Sequence, residues 1–216
     1  PVPGETITAD NTLAARTVVA QGLSTNTLVA RGSVWRYNDT GTDLTDAPWK
    51  LPAYYDGFWA AGQSPLGYDN NGIRTTLGFG PSETDKFITY YFRHRFMLDI
   101  MPTSLKCRIL RDDGVVVYLN GAELMRDNMP DGAVSYSTRA TTAVSGADET
   151  RYFEFNLPTD RLQDLVLGEN LLAVEVHQSA PTSSDLSFDL ELEAVQPAVP
   201  AVHELVVIGV EPESPV

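Results

Sequence analysis

Two runs of the sequence hold polar residues of the kinds that bind metals or sugars. The first, Arg111-Asp112-Asp113-Gly114, comes directly before an apolar stretch. Aspartates in a turn can supply the oxygen ligands that Ca²⁺ prefers. We therefore predict Asp112 and Asp113 as ligands of a structural Ca²⁺, with Asp112 also accepting hydrogen bonds from sugar hydroxyls. The alternative is structural, with an aspartate that caps the turn and pairs with Arg111 or Arg93.

The second run is Glu175-Val176-His177-Gln178, which a polar loop at Ser183-Ser184-Asp185 follows. In an extended strand Glu175 and His177 share one face, opposite the neighbouring valines. If the valines face the core, Glu175 and His177 face outward or line a groove. We predict a sugar-binding rim of planar donors and acceptors with an aromatic ring. Its proposed members are Tyr68, Arg93, Asp112, His177, Gln178, Ser184 and Asp185. The alternative is a polar network that fixes the loop.

Aromatic residues are concentrated in Tyr54–Trp59, and a binding platform there is one interpretation. Trp59 and Tyr37 are further candidates for stacking against a sugar ring. Large aromatics in a β-sandwich more often belong to the core. We therefore expect Trp35, Trp49 and Trp59 to anchor the fold.

Motifs typical of enzymes do not occur. The run Gly62-Gln63-Ser64-Pro65-Leu66-Gly67 departs from the Gly-x-Ser-x-Gly pattern of a nucleophile elbow. The three histidines, His94, His177 and His203, lack the spacing of zinc ligands. We predict a protein that is not an enzyme.

Strand patterns dominate the region that must position these residues. Val115–Leu119 and Ala122–Arg126 flank Asn120-Gly121, the strongest short-range hairpin signal. Leu186, Phe188, Leu190 and Leu192 alternate with polar residues, which is typical of a half-buried strand. Further strands are predicted at Phe87–Met97, Thr103–Leu110, Thr150–Asn156 and Asn170–Gln178, with the last strand at Asp185–Ala194. Only Pro158–Leu167 indicates a helical turn. The prediction is an all-β sandwich of the jelly-roll type.

Charge excludes some classes of partner. The 216 residues carry a net charge of −14, and residues 109–216 hold the whole excess, with 19 acids against 5 bases. Such a surface repels phosphates, so we predict no nucleic-acid partner. No apolar run reaches the ~18 residues that a membrane helix needs, so a spanning protein is excluded. The single cysteine, Cys107, alternates with Leu105 and Ile109 and is expected to be a buried thiol.

The two ends differ from the middle. Asn11-Thr12-Leu13-Ala14-Ala15-Arg16 recurs as Asn26-Thr27-Leu28-Val29-Ala30-Arg31. One interpretation is a stalk whose strands are completed by other chains, giving a homotrimer through residues 1–32; the other is a chance echo. Residues 196–216 contain four prolines and are expected to be a linker or tail. This division makes 1–32 an extension, 33–195 the sandwich and 196–216 the tail.

Residues 33–194 contain a set of motifs in a fixed order: Ser33-Val34-Trp35-Arg36-Tyr37, Tyr55-Asp56-Gly57-Phe58-Trp59, Arg111-Asp112-Asp113-Gly114, Asn128-Met129-Pro130 and Glu175-Val176-His177-Gln178. Together these motifs resemble a galactose-binding-like β-sandwich module of large secreted bacterial proteins. The module is also similar in outline to the non-catalytic sandwich of family 2 glycoside hydrolases, and residues 1–32 resemble the shafts of trimeric fibres.

This resemblance implies a non-catalytic, extracellular module that binds a glycan or cell-surface polysaccharide. The alternatives are the tip domain of a trimeric fibre or adhesin and an accessory domain of a secreted hydrolase.

Overall fold

β-Strands are the main regular structure in the computed structural model, which describes residues 22–69 and 72–198. These residues form β1 (Leu23–Val29), β2 (Val34–Asn38), β3 (Ala60–Gln63), β4 (Leu66–Tyr68), β5 (Thr75–Thr76), β6 (Thr89–Leu98), β7 (Ser104–Asp112), β8 (Gly114–Leu119), β9 (Ala122–Asp127), β10 (Tyr152–Asn156), β11 (Gly168–His177) and β12 (Leu186–Pro197). Short 3₁₀ helices lie at Gly146–Thr150 and Thr159–Asp164.

The strands form two six-stranded sheets. In the first sheet the order is β10-β7-β12-β4-β5, with β1 also paired to β12. In the second sheet the order is β3-β2-β6-β11-β8-β9. All strand pairs are antiparallel except β4 with β5. From β6 onward the chain crosses repeatedly between the sheets, as it does in jelly rolls. The predicted all-β sandwich is confirmed.

The main core lies between the two sheets, and strict alternation along the strands builds it. On β12, Leu186, Phe188, Leu190 and Leu192 are all fully buried, as the sequence pattern predicts. The thiol of Cys107 is buried in the same core, and burial raises its pKa to about 12. The cysteine is therefore an inert packing residue, as predicted.

The Asn120-Gly121 turn joins β8 to β9 with positive φ at both residues, 50° and 100°. That geometry defines a type I′ hairpin and explains why this dipeptide occupies the turn. Every strand predicted from Phe87 onward is present, with ends that shift by at most three residues. The predicted helical turn is the 3₁₀ helix at Thr159–Asp164.

A second hydrophobic cluster covers part of the outer face of the second sheet. Outward residues of β6, β8 and β11, namely Tyr91, Val116, Tyr118, Leu171 and Ala173, contact side chains from the irregular segments 44–59 and 129–136. Trp49, fully buried, packs edge-on against Tyr91 and Tyr118 with ring centroids 4.8 and 5.9 Å apart. The outer face of the second sheet near β8 and β11 is therefore a covered region. Near β2 and β3, where Val34, Arg36 and Ala61 are exposed, the sheet has an open region.

The compact unit spans Leu23–Pro197, so it starts ten residues before the predicted domain boundary at residue 33. The second copy of the repeat contributes β1, which pairs with β12 of the same chain. The first copy and most of the predicted tail lie outside the described residues. Trimer formation through residues 1–32 stays a prediction. No helix in the described part of the chain has the length and apolar composition needed to cross a membrane.

Candidate functional site

The predicted rim residue His177 lies in the covered region, fully buried at the end of β11. Its Nδ1 is 2.7 Å from the carbonyl oxygen of Thr138 and 3.0 Å from the hydroxyl of Thr89. Alternation places Glu175 and His177 on the outer face, as predicted, but the loops cover that face. These contacts match the alternative interpretation, a polar network that fixes loops.

Glu175 is the centre of that network. Its carboxylate accepts a hydrogen bond from the Tyr118 hydroxyl at 2.6 Å, and Lys50 Nζ lies 3.8 Å away. The second carboxylate oxygen lies 3.4 Å from His177 Nε2. Burial alone would raise the pKa of Glu175, but His177, Tyr118 and Lys50 together lower it. Glu175 is therefore an ionised, paired carboxylate beneath a cover of loops.

Four other predicted rim residues hold the neighbouring turn together. Gln178 Nε2 donates to the Tyr68 hydroxyl and to the backbone oxygen of Asp185, each at 2.7 Å. Burial raises the pKa of Tyr68 to about 12. Ser184, at the surface, donates to the Asp185 carboxylate at 2.9 Å. Tyr68 and Gln178 are buried, so neither presents a surface to a polysaccharide.

The two aspartates of the predicted calcium site are buried and differ in their contacts. The Asp113 carboxylate accepts backbone N–H bonds from Val144 at 2.6 Å and Ser179 at 2.8 Å. Neither carboxylate oxygen of Asp112 accepts a hydrogen bond from any residue within 22–69 or 72–198. Burial and the nearby Asp113 carboxyl raise the pKa of Asp112 to about 9. Asp113 therefore fixes two loops, while Asp112 is a carboxyl group held neutral at physiological pH.

The alternative ion pairs with Arg111 or Arg93 do not form. Arg111 pairs with Asp127, and Arg93 pairs with Asp56. Within residues 22–69 and 72–198 no three His, Cys, Asp or Glu side chains gather in a way that could hold a metal. Calcium binding at Asp112 and Asp113 stays a prediction.

Aromatic residues of the segment Tyr54–Trp59 separate into two sets. Trp59 is buried and packs edge-on against Tyr54, and Trp35 and Trp49 are fully buried, so all three tryptophans anchor the fold as expected. Tyr55 and Phe58 instead project into solvent, with 71% and 91% of their surfaces exposed. Their rings meet edge to face with centroids 5.3 Å apart. We call Tyr55 and Phe58 the aromatic pair.

Three arginines from the second sheet hold the backbone beside this pair. Arg93 Nη1 donates to the Tyr54 carbonyl at 3.0 Å and to Asp56 at 2.6 Å, and its Nη2 donates to the Leu51 carbonyl at 2.9 Å. Arg36 donates to the Trp59 carbonyl at 3.0 Å, and Arg95 donates to the Pro52 carbonyl at 2.7 Å. The loop that carries the aromatic pair is therefore fixed to rigid strands at several points.

A cleft of about 460 Å³ opens beside this loop, over the open region of the second sheet. It is lined by Val34, Arg36, Asp56, Ala61, Arg93, His94 and Arg95. Its volume lies in the ~300–1,000 Å³ range of small-molecule sites. The cleft and the aromatic pair form the candidate functional site, and Arg93 is the one residue of the predicted rim that lines it.

The sequence indicates the aromatic segment but not which of its residues reach solvent. It predicts no binding role for Arg36, Asp56 or Arg95. One signal was available: Arg93 and Arg95 alternate with Phe92 and Phe96, which predicts a polar face on β6.

Comparisons with known proteins support the fold. Neither a protein-family model nor a curated protein sequence matches the chain. Among solved structures, the apo β-glucuronidase from Ruminococcus gnavus is similar, with a TM-score of 0.50, 10% identity, and coverage of 82% of this chain and 30% of that one. A Bacteroides uniformis β-glucuronidase matches with a TM-score of 0.48 at 15% identity over 80% of this chain. A Bacteroides vulgatus β-glycosidase matches with a TM-score of 0.44 at 18% identity.

These identities are low enough that the likeness concerns the fold alone. The chain spans between 18% and 30% of the length of these enzymes. The fold likeness to the Ruminococcus gnavus protein therefore concerns a portion of a larger chain.

Proposed function

We propose that this chain is a non-catalytic carbohydrate-binding module that serves as an accessory domain of a larger secreted protein, such as a glycoside hydrolase. In this proposal the aromatic pair and the adjacent cleft bind the polysaccharide. The sugar ring stacks on Tyr55 or Phe58, and polar groups of the cleft form hydrogen bonds with the sugar hydroxyls.

The exposure of the aromatic pair carries this proposal. Large aromatic side chains normally bury most of their surface, so two adjacent exposed rings indicate a surface that a partner covers. Sugars offer C–H groups to an aromatic face and hydroxyls to planar donors and acceptors. Because Arg36, Arg93 and Arg95 hold the loop backbone, little conformational freedom is lost on binding.

The fold agrees with this role. The Ruminococcus gnavus protein is a β-glucuronidase, a large enzyme that contains a portion shaped like this chain. A domain of that size, attached to an enzyme or another secreted protein, suits an accessory function outside the cell. Fold likeness does not determine activity, so the proposal depends on the site.

The position of the acid–base groups supports a non-catalytic role. The predicted rim residue His177 lies 3.4 Å from the carboxylate of Glu175, and both residues are buried beneath the loops. A polysaccharide on the surface does not reach them. We therefore expect a bound polysaccharide to be recovered intact.

The test is affinity electrophoresis of the protein in gels that contain soluble polysaccharides, both neutral and anionic. We expect retardation by at least one polysaccharide and a loss of about tenfold or more in affinity for Phe58→Ala, as for an interface anchor. Leu23→Ala is the matched control, since Leu23 is 67% exposed but lies on the edge of the first sheet. Its affinity should stay within twofold of the wild type.

Two results would overturn the proposal. Equal binding by wild type and Phe58→Ala would move the site away from the aromatic pair. Release of reducing sugar ends during incubation would show that the module is catalytic.

A further inference from the structure

The cleft beside the aromatic pair is unusual in its charge. Alternation along β2 and β6 directs Arg36, Arg93 and Arg95 to the same outer face. Arg36 lies directly opposite Arg93 in the β2–β6 register. Like charges in directly opposed positions of a sheet repel each other, so this arrangement needs compensation by negative charge.

The compensation within the protein is incomplete. Arg93 pairs with Asp56 at 2.6 Å, and its side chain has no exposed surface. Arg95 pairs with Glu169 at 2.6 Å. Arg36 has no carboxylate within ion-pair distance in the described part of the chain, and its one hydrogen bond is to the Trp59 carbonyl. The guanidinium of Arg36 therefore keeps N–H donors free at the cleft.

This local positive charge stands out against the charge of the whole chain. The protein has 29 acidic and 15 basic residues, yet the cleft lining holds three arginines and one aspartate. The Debye length at physiological salt is about 8 Å, so distant carboxylates of the acidic half are largely screened at this site. An anionic group in the cleft would interact mainly with the arginines.

We infer that the ligand of this site is an anionic polysaccharide, whose carboxylate or sulfate group binds Arg36 in the cleft while its sugar ring stacks on the aromatic pair. The inference rests on the proposed function and names its substrate class. A guanidinium suits both anions, because its planar fork of N–H groups donates two parallel bonds to carboxylate, sulfate or phosphate oxygens. Arg93 and Arg95 act by holding the loop and contribute charge.

The experiment compares pairs of polysaccharides that differ in charge on one backbone. Polygalacturonate is compared with its methyl ester, and dextran sulfate with dextran, by affinity electrophoresis and isothermal titration at about 0.15 M salt. We expect the charged member of at least one pair to bind at least tenfold more tightly. Preference in the first pair identifies a carboxylate, and preference in the second identifies a sulfate.

Arg36→Gln should weaken binding of the preferred anionic polymer by about 10- to 100-fold, the usual range for one charge-assisted hydrogen-bonded contact. Arg139→Gln is the matched control, because Arg139 is exposed and lines a different cleft. It makes the same change in net charge and should alter affinity by less than twofold. Raising the salt to 0.5 M should weaken the wild type more than Arg36→Gln.

The failures of the two proposals are distinguishable. Equal binding of charged and uncharged partners, or an unaltered affinity in Arg36→Gln, overturns the anionic ligand but leaves a carbohydrate-binding module. An equal loss of affinity in Arg36→Gln and Arg139→Gln would show that the effect comes from net charge alone. That result would also overturn the inference. Absence of binding to every polymer, neutral or anionic, overturns the proposed function itself.

Discussion

The covered and open regions of the second sheet use the same alternation of residues but have opposite surroundings. In the covered region Glu175 and His177 point outward from β11 and are buried by the segments 44–59 and 129–140. In the open region Arg36 and Arg95 point outward from β2 and β6 and border a cleft. The strand pattern determines the face, and the loops determine whether that face meets solvent.

The contrast explains why charged residues at equivalent positions have different roles. A buried charge must be paired and hydrogen-bonded because its hydration is lost, and Glu175 has three partners. An exposed arginine keeps its hydration and can exchange it for a ligand. Polar residues on an outer face are therefore candidates for binding only where no loop packs over them.

The strongest test of this contrast compares two glutamates on one strand and one face. Glu175→Ala should lower the free energy of unfolding by about 3–5 kcal/mol, because it leaves Lys50, Tyr118 and His177 without their buried partner. Glu169→Ala breaks the exposed pair with Arg95 and should cost about 0–1 kcal/mol. Urea denaturation of both variants measures the difference. Similar losses would mean that the loops do not seal the covered region.

For the second sheet, the sequence predicts which residues of a strand face the core better than it predicts which loops pack over the outer face. Val174 and Val176 face the core, and Glu175 and His177 face away, as the period of two requires. Whether a loop then covers Glu175 depends on Trp49 docking against Tyr91 and Tyr118, which are far away in sequence. Irregular segments have no periodicity to read, so the sequence does not show that most residues of the predicted rim are buried.

Short strands were missed for a related reason. β4 and β5 contain three and two residues, too few to show alternation. β1 has two threonines and one asparagine among its seven residues and is mostly exposed, so its sequence does not show that β12 is its partner. The exposure of Phe58 beside the buried Trp59 is likewise a property of the folded loop.

A second prediction uses pH to test the network of contacts around Glu175 in the covered region. Because the pKa of Glu175 is lowered by folding, its ionised form stabilises the native state at neutral pH, and this contribution is lost as the pH falls through the folded pKa. Glu175→Gln should therefore be less stable than the wild type by about 1.5–3 kcal/mol at pH 7, the range for a hydrogen bond to a charged group. The gap should shrink below pH 4. A constant gap from pH 3 to pH 8 would show that the charge of Glu175 contributes nothing.

A third prediction contrasts Asp112 with Glu175, because the buried carboxylate of Asp112 has no hydrogen-bond partner in the part of the chain that the structure describes. Its pKa is raised to about 9 from an ordinary value of 3.8, so the native state binds one more proton than the unfolded state between these limits. The contribution of Asp112 to stability is therefore most favourable below pH 4 and becomes less favourable as the pH rises toward 9.

Asp112→Asn should raise the free energy of unfolding by about 1–3 kcal/mol at pH 8 and change it little at pH 4. Thermal unfolding in chelator and in millimolar Ca²⁺ measures the change in stability and also tests the predicted calcium site. A calcium-dependent rise in melting temperature that the substitution abolishes would make Asp112 a metal ligand instead of a neutral carboxyl.

The last prediction has the smallest expected effect and compares an exposed residue with a buried residue in a single loop. Phe58 is 91% exposed and its neighbour Trp59 is 8% exposed, so truncating them tests the two environments one residue apart. Phe58→Ala should change the free energy of unfolding by no more than about 0.5 kcal/mol, as surface substitutions usually do. Trp59→Ala should cost about 3–5 kcal/mol through the cavity it leaves. If Phe58→Ala destabilised the fold as much as Trp59→Ala, the aromatic pair would be a packing element, and its exposure would no longer argue for a ligand.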